Sequence, residues 1–254
     1  MIKILLKKIY NRILIVPLNT FRKIFYYFDF LQDYQKFKKK SSVSSRFNLK
    51  FLEQYPCLLE KTANSSFEPH YTYHLAWAAR ILSENKPTLH IDISSGLTFS
   101  TIVSAFIPIR FYDYRPADIR LSNFSSGKAD VTNLPFSDNN IGSLSCMHVI
   151  EHIGLGRYGD ELDPDGDIRG INELKRVLSP GGKLLFVVPV GKPVIRFNAH
   201  RIYSYEQIIK YFDGLKLLKF DLLPDDYNNG LIQNSDAKLV SEQKFGCGCF
   251  LFTK

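Results

Sequence analysis

The sequence is poor in sulfur and has no long apolar run. Of its 254 residues, four are cysteine, two methionine and one tryptophan. The cysteines are Cys57, Cys146, Cys247 and Cys249, and only the last two lie close together, in "FGCGCF". A lone C-x-C with no second Cys or His pair at ligand spacing is a weak zinc signal. Free thiols in a reducing compartment are therefore expected, and no metal site. No stretch approaches the roughly 20 uninterrupted apolar residues that a membrane-spanning helix needs. Lys3, Lys7, Lys8 and Arg12 interrupt the first apolar residues and no small-residue cleavage site follows, so no secretory leader is expected and the chain reads as cytoplasmic.

Excess charge is also missing from most of the chain. Residues 1–40 hold ten basic residues against Asp29 and Asp33, which accounts for the whole formal charge of +8; the remainder, with 23 residues of each sign, is neutral. A phosphate-tracking groove needs its lysines and arginines on the folded surface, so nucleic acid is not an expected partner of the body. The basic segment instead interleaves its charges with Ile, Leu, Phe and Tyr, as in "FRKIFYYFDFLQDYQKFKKK". It is read as one or two amphipathic helices broken near Pro17. Such an extension can lie on an anionic membrane surface or pack its apolar face on protein. Residues 41–67 are serine-rich and irregular and form a connector.

From residue 68 to residue 254 helical and strand patterns alternate, the signature of an α/β domain with a parallel sheet. A helix is expected over "PHYTYHLAWAARILSEN", followed by strands "TLHIDI" and "IRFYDY" with a helix over "LTFSTIVSAF" between them. "NIGSLSCMHV" reads as a strand and "DIRGINELKRVLSPGG" as a helix. The all-apolar "KLLFVVPV" suits a central strand. Ser204 and Gln207 form a capping-box pattern before "SYEQIIKYF", and "LKLLKFDLL" and "KFGCGCFLFTK" are the last strands.

In such sheets a ligand sits beyond the carboxyl ends of the strands. Asp92, followed by Ser94-Ser95-Gly96, ends the first strand; Asp113 ends the second; Asp130 follows in "KADVTNLPFSDNNIG"; His148, Glu151 and His152 follow a later strand. An acid about 20 residues beyond the first loop can accept both ribose hydroxyls, and Asp113 lies there. The loop lacks the G-x-G-x-x-G fingerprint of a pyrophosphate site and keeps only Gly96, which argues against nicotinamide and flavin cofactors. A nucleoside without phosphates needs less clearance, and a carboxylate at Asp92 suits an ammonium group. S-adenosylmethionine combines these features.

The ordered series "HIDISSG", "FYDYRP", "KADVTNLPFSDNNIGSLSCMHVIEHI" and "ELKRVLSPGGKLLFVVPV" resembles the motifs of class I S-adenosylmethionine-dependent methyltransferases over roughly residues 86–225, and "EHIGLGRYGDELDPDGD" resembles a little-studied branch classed as a domain of unknown function. The resemblance implies a Rossmann-like, mostly parallel sheet whose last strand is antiparallel, flanked by helices. It implies that Asp92, Ser94 and Gly96 face the methionine part of the cofactor, that Asp113, with Tyr114 beside it, holds the ribose, and that Asp130 and the backbone of Val131 meet the adenine. His148 joins these cofactor-binding residues. Ser94 stands where the family has glycine: at positive φ it would cost on the order of 1 kcal/mol and crowd the cofactor, or its hydroxyl would donate to it.

Methyl transfer to a hydroxyl calls for a general base. His152 is the first candidate, because imidazole exchanges protons near neutral pH, with Glu151 and Asp160 behind it. His148 and His152 lack a third ligand at motif spacing, so no metal is assigned to them. "DELDPDGD" misplaces the glycine of a calcium loop and reads as a lid or acceptor-binding loop. "RFNAHRIYS", with Arg196, His200, Arg201 and Tyr203, is a second source of acceptor contacts. The acceptor is expected to be a small molecule or glycan bearing hydroxyls. The rival reading is a degenerate methyltransferase-like domain acting as a membrane-associated interaction module.

Overall fold

The computed structural model describes residues 2–41 and 47–254, with side chains from residue 21 onward. The chain divides into two compact units, one up to Ser66 and one from Phe67 to Lys254. Residues 42–46 of the serine-rich connector, and the side chains of the first basic residues, fall outside the described residues.

In the first unit, α1 (Ile2–Ser41) is one element and does not break at Pro17. A proline removes a single N–H donor, and the 40 residues of helix continue across it. Lys38, Lys39 and Lys40 sit in its last turn, where the helix dipole favours cations. Lys61 pairs with Asp33 and Phe51 meets Tyr34 edge-on at 5.5 Å, so residues after 47 fold back on α1. Phe21, Ile24, Phe25, Phe28 and Phe37 of α1 are exposed. Among the described residues no helix is long and apolar enough to cross a membrane.

The second unit is built on a seven-stranded sheet in the order β3-β2-β1-β4-β5-β9-β8. Its strands are β1 (His90–Ile93), β2 (Ile109–Asp113), β3 (Phe124–Lys128), β4 (Ile141–Met147), β5 (Leu178–Val190), β8 (Lys216–Leu223) and β9 (Gly246–Thr253). β9 runs antiparallel to both its neighbours, and the pairs among β1 to β5 are parallel. β6 (Val194–Arg196) and β7 (His200–Ile202) form a separate hairpin. Strand alternation divides the core into two layers. Ile91, Ile93, Leu144, Phe186, Phe250 and Phe252 face α4 (Gly166–Val177) and α5 (Tyr205–Tyr211). Ile109, Met147, Leu185, Val187 and Leu251 face α2 (Pro69–Asn85) and α3 (Leu97–Val103). The buried Trp77 of α2 also donates its indole N–H to Asp221 of β8 at 2.8 Å.

Two segments depart from the expected pattern. The helix expected to run from Asp167 to a stop at Pro180-Gly181-Gly182 ends earlier, at Val177, and Leu178 is already extended (φ −67°, ψ 128°). Proline disfavours helix in the residue before it, and here residues 178–182 join β5 instead. Gly182 is required there, since a Cβ would lie 2.8 Å from the Ser179 carbonyl oxygen and 2.9 Å from that of Ile141. β3, in "FSSGK", was not expected: it has no apolar alternation, and its backbone pairing with β2 from Ile109–Phe124 to Asp113–Lys128 sustains it.

The strand order reverses between β1 and β4. The crevice beyond the carboxyl ends of these two strands is where a ligand can enter an open α/β sheet.

Candidate active site

A cleft of about 480 Å³ opens at that reversal. Ser94, Ser95 and Gly96 enter it from the end of β1, Asp113, Tyr114 and Arg115 from β2, Ala129, Asp130, Val131 and Thr132 from β3, and His148, Val149 and His152 from β4. Tyr71 of α2 and Tyr158, Asp160 and Glu161 of the following loop complete its rim. Of the eight residues expected to meet a cofactor, seven line this one cleft: Ser94, Gly96, Asp113, Tyr114, Asp130, Val131 and His148.

Asp92 does not reach it. Its carboxylate is wholly buried and accepts hydrogen bonds from the hydroxyls of Ser100 and, at 2.7 Å, Ser145. Burial pushes its pKa up, against the hydroxyls of Ser100, Ser95 and Ser145, which favour the charged form. Ser145 in turn accepts from His90 Nε2 at 2.9 Å, and His90 Nδ1 accepts from Ser143 at 2.8 Å. The acid expected beside the cofactor thus anchors a polar chain inside the sheet.

Ser94 has φ +56°, the left-handed conformation its family position suggested. Its hydroxyl donates to the Tyr112 carbonyl oxygen at 3.2 Å, so its proton is directed to β2 and away from the cleft. Gly96, at φ +149°, presents bare backbone, with no atom within 4 Å of where a Cβ would stand. Asp113 Oδ1 accepts from the Arg115 N–H at 2.7 Å. Asp130 Oδ1 accepts from both the N–H and hydroxyl of Thr132. In each case the pairing holds the carboxylate at the strand end through one of its two oxygens.

The three candidate bases separate clearly. His152 lines the cleft, and its Nδ1–H donates to the Ala199 carbonyl at 2.6 Å. That bond fixes the tautomer and leaves Nε2 with the lone pair. Glu151 is buried and absent from the wall, and its Oε1 lies 2.7 Å from His148 Nδ1. Asp160 lines the cleft but accepts from the backbone N–H groups of Gly154 (2.8 Å), Gly156 (3.2 Å) and Tyr158 (3.1 Å). Burial raises its pKa, and these donors together with its own backbone N–H outweigh that and hold it below the usual range. Asp160 shapes the loop and is a poor proton acceptor.

That loop contributes Tyr158, Asp160, Glu161 and Asp163 to the cleft lining. The guanidinium groups of Arg115 and Arg157 each lie 5.1 Å from the Tyr158 ring centroid, a favourable cation–π arrangement. Arg201 and Tyr203, expected to touch an acceptor, are buried beneath it. Arg201 donates to the Ile153 carbonyl at 2.6 Å and the Pro164 carbonyl at 3.1 Å, and the Tyr203 hydroxyl donates to Asp167 at 2.9 Å. Arg196 lies over the Phe245 ring at 5.6 Å, and neither it nor His200 lines the cleft.

Behind the cleft lies a cluster that the sequence did not disclose. His148, also left-handed at φ +55°, has its Nε2 3.5 Å from Cys247 Sγ. His70 of α2 stacks on it at 5.3 Å, and His74 meets it edge-on at 4.9 Å. One ligand-capable atom from each of His70, His148 and Cys247 lies within 4.8 Å of the others. Burial disfavours charge on His148, but Glu151 and Cys247 more than compensate and push its pKa up to about 10. Burial, with His148 nearby, pushes His70 down to about 4.

Residues 120–233 match the sequence profile of a family described as Caenorhabditis protein of unknown function, DUF268. An uncharacterised protein of Methanocaldococcus jannaschii is 30% identical over 95 residues, a match covering 35% of this chain and 37% of that protein. The chain thus matches little more than a third of the length of that curated relative. Among solved structures, a candidate methyltransferase of Bacillus halodurans C-125 superposes with a TM-score of 0.52 at 14% identity, over 71% of this chain and 98% of that one. A Burkholderia thailandensis 1,6-didemethyltoxoflavin N1-methyltransferase, bound to 1,6-didemethyltoxoflavin and S-adenosylhomocysteine, gives a TM-score of 0.51 at 10% identity, over 71% and 78%. With the strand order and the single reversed strand, these likenesses establish that the chain has the class I S-adenosylmethionine-dependent methyltransferase fold.

Proposed function

We propose that the unit from Phe67 to Lys254 binds S-adenosylmethionine in this cleft and transfers its methyl group to a small hydroxylated acceptor. The observation that carries the reading is the convergence of Gly96, Asp113 and Asp130, from three successive strand ends, on one cleft of about 480 Å³. Their chemistry fits the cofactor. Gly96 offers backbone where a side chain would intrude, Asp113 accepts from ribose hydroxyls, and Asp130 with the Val131 backbone meets the adenine edge. Asp92 supports the loop from behind through Ser100 and Ser145.

When bound, the cofactor supplies a methyl group on a cationic sulfur. The chain's part is to align an acceptor oxygen with that methyl and to take its proton. His152 Nε2 would carry out the second task in this reading: the Ala199 carbonyl holds the ring through Nδ1–H, and Nε2 would take the proton of the acceptor hydroxyl. A cleft this size lies in the lower part of the range for small-molecule sites. In this reading a small acceptor, such as a single sugar, binds beside Tyr158 and Arg115, which also line the cleft.

A second reading concerns α1, whose exposed Phe21, Ile24, Phe25 and Phe28 recur at helical spacing among basic residues. This face suits insertion at the headgroup level of an anionic membrane, with the catalytic unit at the cytoplasmic side. The catalytic reading is tested by supplying methyl-labelled S-adenosylmethionine with mixtures of small polyols and sugars. Label should enter a small molecule with the wild-type chain and fall by about 100-fold or more with His152→Gln. Equal transfer by both chains would remove His152 from the mechanism.

A further inference from the structure

We propose that His70, His148 and Cys247 form a binding site for a zinc-type divalent ion, at the part of the cleft wall that His148 lines.

The donor set is two imidazoles and a thiol, all buried, brought together from the start of α2, the end of β4 and the start of β9. Zinc favours such nitrogen and sulfur donors in tetrahedral geometry, with Zn–N near 2.0–2.1 Å and Zn–S near 2.3 Å, which places neighbouring N and S ligand atoms about 3.5 Å apart. His148 Nε2 and Cys247 Sγ are 3.5 Å apart. The ligand-capable atoms of all three residues lie within 4.8 Å of one another.

Both imidazoles carry the outer partners of metal-bound histidines. A ligating ring donates its other N–H to a carboxylate or backbone carbonyl, which fixes the tautomer and raises the donor's basicity. His148 Nδ1 faces Glu151 Oε1 at 2.7 Å. His70 Nε2 donates to the Phe245 carbonyl oxygen at 3.1 Å, which leaves Nδ1 as its donor atom. Glu151 is fully buried, and its Oε2 has no hydrogen-bond partner in the structure. A buried carboxylate is costly unless its charge is compensated; the charged His148 ring does this without an ion, and a cation on Nε2 would take over that role once the ring is neutral.

The backbone offers a separate sign. His148 is a non-glycine residue held at φ +55°, directly after β4. That conformation costs on the order of 1–3 kcal/mol and persists only where the surroundings enforce it, which makes it a marker of functional positions. Here it turns the imidazole toward α2 and β9. An ion at this point ties α2 to the sheet behind the cleft, and the fourth position is left to water. Binding releases two protons, one from the Cys247 thiol and one from His148 Nε2, since the ligands are a thiolate and a neutral imidazole.

The test uses the full chain, stripped with a chelator and titrated with Co²⁺ as a spectroscopic probe, then with Zn²⁺. The expected result is one equivalent bound, a thiolate-to-cobalt charge-transfer band with tetrahedral visible bands, and displacement by Zn²⁺. Cys247→Ser should abolish the charge-transfer band, and His70→Gln should weaken binding by at least about tenfold. Cys57→Ser, at an exposed thiol elsewhere, should leave the spectrum unchanged. Circular dichroism checks that each variant is folded. If Cys247→Ser does not fold, the wild-type spectrum decides: no charge-transfer band at one equivalent overturns the proposal, as does a band that survives Cys247→Ser or disappears with Cys57→Ser.

Discussion

Ser94 donates its N–H at 2.8 Å and its hydroxyl at 3.2 Å to the same acceptor, the carbonyl oxygen of Tyr112. The two bonds stitch the turn after β1 to β2 and hold Ser94 at φ +56°. A hydroxyl directed to Tyr112 is not offered to a cofactor. Ser94→Gly therefore should keep S-adenosylhomocysteine affinity within a few-fold or tighten it, since glycine adopts this backbone without a Cβ penalty. A weakening of tenfold or more in a calorimetric titration would show that the hydroxyl leaves Tyr112 for the ligand.

Asp113 gives a prediction of opposite sign. One of its oxygens is held by the Arg115 N–H, and in the proposed complex the carboxylate accepts ribose hydroxyls. Asp113→Ala should weaken cofactor binding by about 1–3 kcal/mol, the usual loss for hydrogen bonds to a charged group, while its melting temperature stays near that of the wild type. Unchanged affinity would place the ribose elsewhere.

The contrast between Asp92 and Asp113 marks how far the sequence can be read. Both acids end strands at the expected spacing, yet one faces the cleft and the other is enclosed by Ser100 and Ser145. Which way a strand-end acid turns depends on serines of α3 and β4, and no local pattern reports it. Helix α2 was legible from end to end because proline at its start and apolar periodicity are local signals. β3 was not, because its stability comes from its partner strand. The cluster behind the cleft was least visible of all: His70 and the Phe245 carbonyl that orients it are 175 residues apart. The expected lid or acceptor-binding loop around "DELDPDGD" is held by Arg201 and Tyr203, through the Ile153 and Pro164 carbonyls and Asp167, and no local pattern reports those contacts.

Acid should destabilise the second unit through His90. The ring is fully buried between Ser143 and Ser145, and burial pushes its pKa down to about 3. The unfolded chain binds the proton near the ordinary histidine value of about 6.5, so the stability tied to the neutral ring is present above about pH 6.5 and is lost as pH falls toward 3. His90→Gln should be less stable than the wild type at neutral pH, yet its stability should fall less steeply between pH 6 and 4, by about 1.4 kcal/mol per pH unit for the one proton removed. Denaturant melts across that range measure both slopes. Identical slopes would show that His90 is protonated in the folded state.

For α1, co-sedimentation with vesicles should show binding to anionic but not neutral lipid, weakening steeply as salt screens the lysines. Replacing Phe25 and Phe28 with serine should reduce it. Salt-independent pelleting, or none, would count against a membrane role.

The central claim is that the cleft at the ends of β1 to β4 is a nucleoside site, and the most direct measurement is isothermal titration of the purified full chain with S-adenosylhomocysteine. The account predicts saturable binding of one equivalent, lost or markedly weakened in Asp113→Ala. No heat and no thermal stabilisation at millimolar ligand, in a chain shown to be folded, would contradict it.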